Sequence, residues 1–156
     1  KVLHIIDFGR SIYKYQGKGF CSDCYSKGED AYSQYNCEPY FNEDKPRLEP
    51  NNSFDLSRLG CSLFDYFIDD IDNLEDVCKT NPIAKLIVEW CSDDKGKNIL
   101  YMRNGRERYP NFKLYKMISR TVHQHTPHEQ LKRTLFNKFS VQKPNVSNIM
   151  DLDSYI

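Results

Sequence analysis

One stretch, from Ser53 to Ile71, most constrains what this chain can fold into, because its apolar side chains recur at helical spacing. Residues at positions i, i+3, i+4 and i+7 lie on one face of an α-helix. The apolar positions are Leu56, Leu59, Gly60, Leu63, Phe64, Phe67, Ile68 and Ile71, and Cys61 and Tyr66 widen the stripe. A stripe this broad predicts a central helix with neighbours on several sides. Gly60 costs about 1 kcal/mol relative to alanine inside a helix, so we expect another element to pack close to its backbone.

Three further helices are predicted after the central one. Asn81-Pro82 and Thr126-Pro127 each place an N-cap residue before a proline at the first helical position, and Pro110 marks another helix start. The helix after Pro110 is expected to turn Tyr115, Ile118 and Val122 to one side. The last helix is expected to carry Leu131, Leu135, Phe136 and Phe139.

The β content is expected to be small. Residues 2–6 form a short apolar run that indicates a buried strand. Residues 98–109 predict a β-hairpin, because Asn104-Gly105 is a favoured two-residue turn. The fold class is therefore mainly α with minor β, within the α+β class.

Charge and composition argue against several partner classes. The chain has 22 basic and 22 acidic residues, so no global basic field attracts nucleic acid or an anionic membrane. No apolar run reaches the length of a membrane span, and no signal-peptide pattern opens the chain. The chain begins at Lys1 without an initiator methionine, which predicts a fragment of a longer protein. Six cysteines without a secretory signal predict reduced thiols in an intracellular compartment.

Residues 7–50 open on a suggestive triplet and then lose hydrophobic periodicity. The carboxylate of Asp7 offers hard oxygen ligands to Mg²⁺. The ring of Phe8 can pack into or leave a core, and Gly9 lets the backbone move between those arrangements. The alternative is an ordinary exit from a strand into a turn. Residues 10–50 form a long irregular segment, which in a compact chain is functional or disordered.

The order of these features resembles the C-lobe of a eukaryotic-type protein kinase. In that family an Asp-Phe-Gly motif begins the activation segment, and a D-x-x-x-x-G helix forms the centre of the lobe. This chain has Asp7-Phe8-Gly9, then a long irregular segment, then the helix that carries Asp55 and Gly60. Residues 48–50, 95–98 and 106–109 are similar to the kinase-like proteins of giant nucleocytoplasmic DNA viruses.

The resemblance implies a domain map for the whole chain. Residues 1–140 would be a partial kinase-like C-lobe, with the strand and Asp-Phe-Gly in 1–9, the activation segment in 10–50 and a helical subdomain in 51–140. Residues 141–156 would be a C-terminal tail. The N-terminal lobe, with its Gly-rich loop and strand lysine, is missing from this chain, as is the His-Arg-Asp catalytic loop.

The resemblance also implies roles for four residues. Asp7 matches the aspartate that binds the Mg²⁺ ion bridging the phosphates of ATP. Phe8 matches the aromatic residue whose packing reports the active state, and Gly9 matches the hinge. Asp55 matches the buried helix aspartate that holds the catalytic loop by hydrogen bonds. The implied activity is transfer of the ATP γ-phosphoryl group to a serine or threonine hydroxyl of a protein substrate, in the host cytoplasm or the virion.

One departure from the family pattern keeps other functions open. The family closes the activation segment with Ala-Pro-Glu, further upstream of the helix aspartate. In this chain Glu49 lies only six positions before Asp55. The expected salt-bridge partner of Glu49 is Arg133. A pseudokinase or kinase-like protein-binding scaffold is therefore the alternative function. A third possibility is a small zinc-stabilised helical protein, although loop thiols and solvated imidazoles explain the same residues. Those residues are Cys21, Cys24, Cys37, His123, His125 and His128.

Overall fold

A computed structural model of the chain describes residues 7–140. The expected strand at 2–6 and the expected tail at 141–156 lie outside the described residues. The described chain forms two compact units, one containing residues 7–47 and the other residues 48–140. Helices and one small antiparallel sheet make up these units, which confirms the mixed α+β class.

The first unit contains a β-hairpin where the sequence predicted an irregular segment. Strands β1 (Ile12–Tyr15) and β2 (Lys18–Cys21) pair antiparallel. Gln16 and Gly17 connect them with φ angles of 50° and 72°, the pair of left-handed conformations that suits the twist of a tight hairpin. Four-residue strands are too short for hydrophobic alternation to stand out, which is why the hairpin was missed.

Asn36 orders the loop that follows, residues 36–47, through side-chain hydrogen bonds. Its buried amide group donates to the carbonyl oxygens of Asn42, Lys45 and Pro46 at 2.9 to 3.0 Å. Its Oδ1 accepts a hydrogen bond from the backbone N–H of Asn42 at 2.9 Å. One side chain thus satisfies four backbone groups that have no regular secondary structure to pair with.

An ion pair closes the same loop. The guanidinium of Arg47 donates two hydrogen bonds to the carboxylate of Glu38, at 2.8 and 2.6 Å. These bonds favour the ionised carboxylate and lower the pKa of Glu38 to about 2. Arg47 also lies over the ring of Phe41, 4.6 Å from its centroid. The 36–47 loop is therefore held at both ends by side chains.

The central helix of the second unit is α1 (Phe54–Phe67), as the apolar stripe predicted. It ends earlier than expected, because Ile68 has an extended backbone with φ −126° and ψ 96°. The side chain of Asp70 then accepts a hydrogen bond from the backbone N–H of Asp72 and caps a separate 3-10 turn. The expected extension of the helix to Ile71 was wrong for that reason.

The expected close approach at Gly60 is confirmed. Helix α3 (Pro82–Trp90) packs across it. A Cβ atom built on Gly60 would lie 2.9 Å from the Cβ of Trp90 and 3.2 Å from the Sγ of Cys91. Because a carbon contact under 3.0 Å is not tolerated, α1 and α3 can pack this closely only while residue 60 has no side chain.

The hydrophobic core of the second unit joins α1, α3 and α4 (Lys113–Thr121). Trp90 is 6% exposed, and its indole N–H donates to the Oε1 of Gln130 at 3.0 Å, so the ring is buried without an unpaired donor. The buried members of the core are Phe64, Ile68, Ala84, Leu86, Ile87, Trp90, Cys91, Ile99, Ile118 and Val122.

The predicted hairpin at 98–109 is a turn with a single β-bridge, not a pair of strands. Tyr101 pairs with Glu107, but the backbone N–H groups of Leu100 and Tyr101 are taken by the side-chain oxygen of Asn98. With those donors occupied, the ladder does not extend. Gly105, with φ 74°, donates to the carbonyl oxygen of Met102, so it is the last residue of the turn instead of one of its two central residues.

The helix boundaries differ from the predictions in the middle of the unit. A short helix, α2 (Leu74–Thr80), was not predicted, because its seven residues make too few turns for helical periodicity to stand out. Helix α4 begins at Lys113 and not at Pro110, since Asn111 has a left-handed backbone with φ 57°. Ile118 and Val122 are buried in the core, as expected.

The last predicted helix is broken in two. The Thr126 cap and Pro127 start are confirmed, and the Thr126 side chain accepts from the N–H of Glu129. However, α5 (Pro127–Leu131) has only five residues, and a 3-10 helix (Thr134–Phe139) follows. Leu131 and Phe139 are consequently exposed, at 72% and 68%, instead of sharing one buried helix face.

We expect Gly60→Ala to lower the free energy of unfolding by about 1 kcal/mol or more. The gain in helix propensity, about 1 kcal/mol, is outweighed by overpacking against Trp90. Denaturant unfolding followed by the fluorescence of Trp90, the single tryptophan, measures the effect in this unit. The matched control is Ser62→Ala, an exposed position on the same helix, which should change stability by less than about 0.5 kcal/mol. A Gly60→Ala protein as stable as the wild type would contradict the packing described here.

We expect Asn36→Asp to open the 36–47 loop. The substitution replaces an amide donor with a carboxylate oxygen that faces three carbonyl oxygens, and unpaired buried groups cost about 1–3 kcal/mol. Hydrogen exchange of the backbone N–H of Asn42 should become about tenfold faster or more. Asn104→Asp is the control, because its side-chain oxygen accepts from the N–H of Arg106 and the substitution retains that acceptor. Unchanged exchange at residue 42 would show that Asn36 does not hold the loop.

Candidate functional site

Asp7, Phe8 and Gly9 lie in a turn that leads into β1. The carbonyl oxygen of Phe8 accepts hydrogen bonds from the N–H and the hydroxyl of Ser11, at 3.0 and 2.7 Å. The carbonyl oxygen of Gly9 accepts from the hydroxyl of Ser22 at 2.6 Å. The Ser11 bonds close the turn, and the Ser22 bond fastens the turn to the residue that follows β2.

Asp7 has a left-handed backbone, with φ 64°, which is uncommon for residues other than glycine. Backbone strain of this kind is often found at functional sites. The N–H of Gly9 donates to its Oδ1 at 3.4 Å, and the residue is exposed. The ring of Phe8 is also exposed, at 64%. The carboxylate of Asp7 is therefore accessible to a metal ion.

Asp7 can supply one of the carboxylate ligands of a nucleotide-bound Mg²⁺ ion. Such an ion is held by one or two carboxylates together with phosphate oxygens and water. Among residues 7–140, no group of three or more His, Cys, Asp or Glu side chains is placed to hold a metal ion by itself. Asp7 can thus contribute one carboxylate to a metal that the phosphates help to bind.

Asp55 lies in the first turn of α1 and is exposed, whereas the kinase resemblance implied a buried aspartate. It belongs to the second compact unit, and Asp7 belongs to the first. The catalytic loop that Asp55 would hold is not part of this chain, so its role as a positioning residue stays a prediction.

Asp55 shares a stripe of α1 with Leu59, Ser62 and Tyr66, which we call the exposed stripe. These positions are spaced i, i+4, i+7 and i+11, which places them on one side of the helix. Leu59 is 48% exposed and Tyr66 is 82% exposed. The opposite side carries the buried residues Ser57, Gly60 and Phe64. The central helix is therefore packed on one side and open on the other.

The expected salt bridge between Glu49 and Arg133 is not observed. The Nη1 of Arg133 donates to the Oε2 of Glu89, which lies on α3. This ion pair joins the last turn of α3 to the residue that precedes the 3-10 helix, Thr134–Phe139. Arg133 thus stabilises the packing of the second unit, with Glu89 as its partner.

The residues of the zinc hypothesis are divided between the two units. Cys21, Cys24 and Cys37 belong to the first unit and form no disulfide. The Nδ1 of His123 forms a hydrogen bond with the Oδ2 of Asp94 at 2.6 Å. His125 is buried, and its backbone N–H donates to the hydroxyl of Ser53. The two histidines connect the end of α4 to neighbouring loops.

Two thiols meet between α1 and α3. Cys91 and Arg58 both lie close to Cys61. The neighbouring Cys91 thiol and the positive charge of Arg58 lower the pKa of Cys61. The neighbouring Cys61 thiol and burial raise the pKa of Cys91. Cys61 is therefore the more readily ionised of the two thiols.

Sequence reasoning missed two features of the first unit, the aromatic hairpin and the role of Asn36. The hairpin had only a weak signal, because its two runs are four residues long and Gln16-Gly17 is not one of the strongly favoured two-residue turns. Asn36 had none, since its four backbone partners are set only by the path of the folded loop. An isolated asparagine in a polar segment gives no pattern to detect.

Comparison with family models, with curated proteins and with solved structures gave no match for this chain. The kinase hypothesis therefore depends on the residues and geometry of the chain itself. Within residues 7–140, none of the helices has the length and apolar character that crossing a membrane requires.

Proposed function

We propose that this chain is the C-terminal part of a serine/threonine-type protein kinase, which transfers the γ-phosphoryl group of ATP to a protein hydroxyl with Mg²⁺ as cofactor. The exposed stripe of α1 is the observation that carries the proposal. Helix α1 packs against α3 on one side, yet its other side presents Asp55 together with the apolar residues Leu59 and Tyr66. Exposed apolar residues next to an acceptor carboxylate form a surface on which another segment can pack. We therefore infer that a further segment covers this side of α1 in the complete protein.

In this proposal the covering segment is the missing catalytic loop and the helices that flank it. A carboxylate is only an acceptor when ionised, so Asp55 can receive the backbone N–H groups of a loop laid across the start of α1. Leu59 and Tyr66 provide the apolar surface against which such a segment packs. The order of the chain supports this arrangement, since the Asp-Phe-Gly turn precedes a long segment and then the Asp55 helix.

The chemistry assigned to the Asp-Phe-Gly turn is metal binding and positioning. When bound, Mg²⁺ would neutralise charge on the nucleotide phosphates, which is the main electrostatic contribution to phosphoryl transfer. Asp7 supplies one carboxylate for that ion. The two hydrogen bonds of Ser11 to the Phe8 carbonyl and the bond of Ser22 to Gly9 keep this carboxylate at the base of the hairpin.

A pseudokinase or kinase-like scaffold is the second candidate function. In the kinase family, a salt bridge to the glutamate that closes the activation segment would here join Arg133 to Glu49. Arg133 instead pairs with Glu89, and this difference favours the second candidate. In this case the same exposed stripe would bind a partner protein, and phosphoryl transfer would be absent.

Phosphoryl transfer tests the first function directly. The 156-residue chain should be inactive with labelled ATP, because it has no catalytic base or nucleotide cleft, whereas a longer product of the same reading frame should transfer phosphate to protein. Asp7→Asn in the longer product should reduce the rate at least about a hundredfold, since the metal ligand is lost. Asp44→Asn, at an exposed position of the 36–47 loop, is the matched control. Activity of the 156-residue chain alone, or an active Asp7→Asn variant, would contradict the proposal.

The effect of Leu59→Glu should depend on chain length. In the 156-residue chain the position is exposed, so we expect a change in the free energy of unfolding below about 0.5 kcal/mol. In the longer product the new charge would be buried, and the loss should exceed about 2 kcal/mol. Met102→Glu, at an exposed position outside the stripe, should be tolerated in both. Equal tolerance of Leu59→Glu in both lengths would show that nothing covers the stripe.

A further inference from the structure

One face of the β1–β2 hairpin carries three aromatic rings and a lysine. In the register of the two strands, Tyr13 lies opposite Phe20, and Tyr15 lies opposite Lys18. Opposed residues and residues two apart project from the same side of a hairpin. We call this side, with its residues Tyr13, Tyr15, Lys18 and Phe20, the aromatic face.

The rings of the aromatic face are exposed, and two of them are stacked. Tyr13 is 51% exposed, Tyr15 is 45% exposed and Phe20 is 37% exposed. The rings of Tyr13 and Phe20 are stacked, with centroids 5.1 Å apart and an angle of 10° between their planes. A cluster of exposed rings is unusual on a protein surface and marks a place where another molecule binds.

The charge of the hairpin is positive although the whole chain is neutral. Within residues 8–22 the charged side chains are Arg10, Lys14 and Lys18, all basic. Arg10 lies 3.7 Å from the carboxylate of Asp30, which leaves the two lysines of the strands as the main source of the local field. The Nζ of Lys18 is 5.5 Å from the centroid of the Phe20 ring. The ligand that suits this surface is an anion with flat rings.

We propose that the aromatic face binds single-stranded nucleic acid. Bases stack on the exposed rings of Tyr13 and Tyr15, while Lys18, on the same face, neutralises a backbone phosphate. The two tyrosines are about 6.7 Å apart along an extended strand, which is close to two base steps of about 3.4 Å. Stacking needs unpaired bases, so the face selects single strands over duplexes. The expectation that nucleic acid is excluded came from the charge of the whole chain, and this proposal does not depend on the kinase function.

The test is fluorescence anisotropy of a labelled oligothymidine of about twelve nucleotides, titrated with the 156-residue chain in about 50 mM salt. We expect binding that weakens with salt, with a slope of about −0.7 in log–log form, because the one phosphate that Lys18 neutralises contributes about −0.7. Tyr13→Ala should weaken binding at least about fivefold, since one lost stacking contact corresponds to about 1 kcal/mol. Tyr13→Phe should bind like the wild type, because it retains the aromatic ring. This control shows that a substitution at residue 13 does not by itself unfold the hairpin.

Matched controls locate the effect on the hairpin. Lys18→Gln should reduce the salt slope by about 0.7, whereas Lys79→Gln, on α2 of the second unit, should leave it unchanged. Phe139→Ala removes an aromatic side chain that is 68% exposed outside the hairpin and should not alter binding.

Four outcomes would overturn the proposal. The first is that the oligonucleotide does not bind in about 50 mM salt, and the second is that Tyr13→Ala binds it as tightly as the wild type. The third is that a duplex of the same length binds with equal affinity. The fourth is that an anion other than nucleic acid competes equally well. The anions to use are polyglutamate, for an acidic protein, and vesicles of phosphatidylcholine with phosphatidylserine, for a membrane surface. Competition by either one as effective as that of the oligonucleotide would identify a general anionic partner instead.

Discussion

The close crossing of α1 and α3 at Gly60 is the contact on which the second unit depends. Because residue 60 has no side chain, Trp90 and Cys91 reach the backbone of α1 and bring the two helices into one core. The same crossing fixes which side of α1 is buried. Asp55 and Tyr66 are consequently turned away from α3, so the exposed stripe follows from the packing at a single glycine.

The two units are stabilised by different physics. The second has a hydrophobic core built from amphipathic helices. The first has a small hairpin and irregular segments whose backbone groups are satisfied by side chains, chiefly Asn36 and the Glu38–Arg47 ion pair. Side-chain bonding of this kind holds a long loop in one conformation without regular structure.

The proposed functions use separate parts of this arrangement. Phosphoryl transfer needs the accessible carboxylate of Asp7 and a covering segment over the exposed stripe. Nucleic-acid binding needs only the rings of the hairpin and Lys18, which lies on the same face. The hairpin directly follows the Asp-Phe-Gly turn and shares hydrogen bonds with it through Ser22. A ligand on the aromatic face would therefore contact the element that supports Asp7.

The sequence by itself determined the elements whose signal is local and periodic. The apolar stripe of α1, the need for glycine at residue 60 and the Asn81 and Thr126 caps were all readable, because each depends on neighbours within a few residues. Only tertiary structure decided the partners. Asn98 took the donors of the expected hairpin at 98–109, Asn111 delayed α4, and Glu89 rather than Glu49 paired with Arg133. Those outcomes depend on residues that meet in space, which no local pattern records.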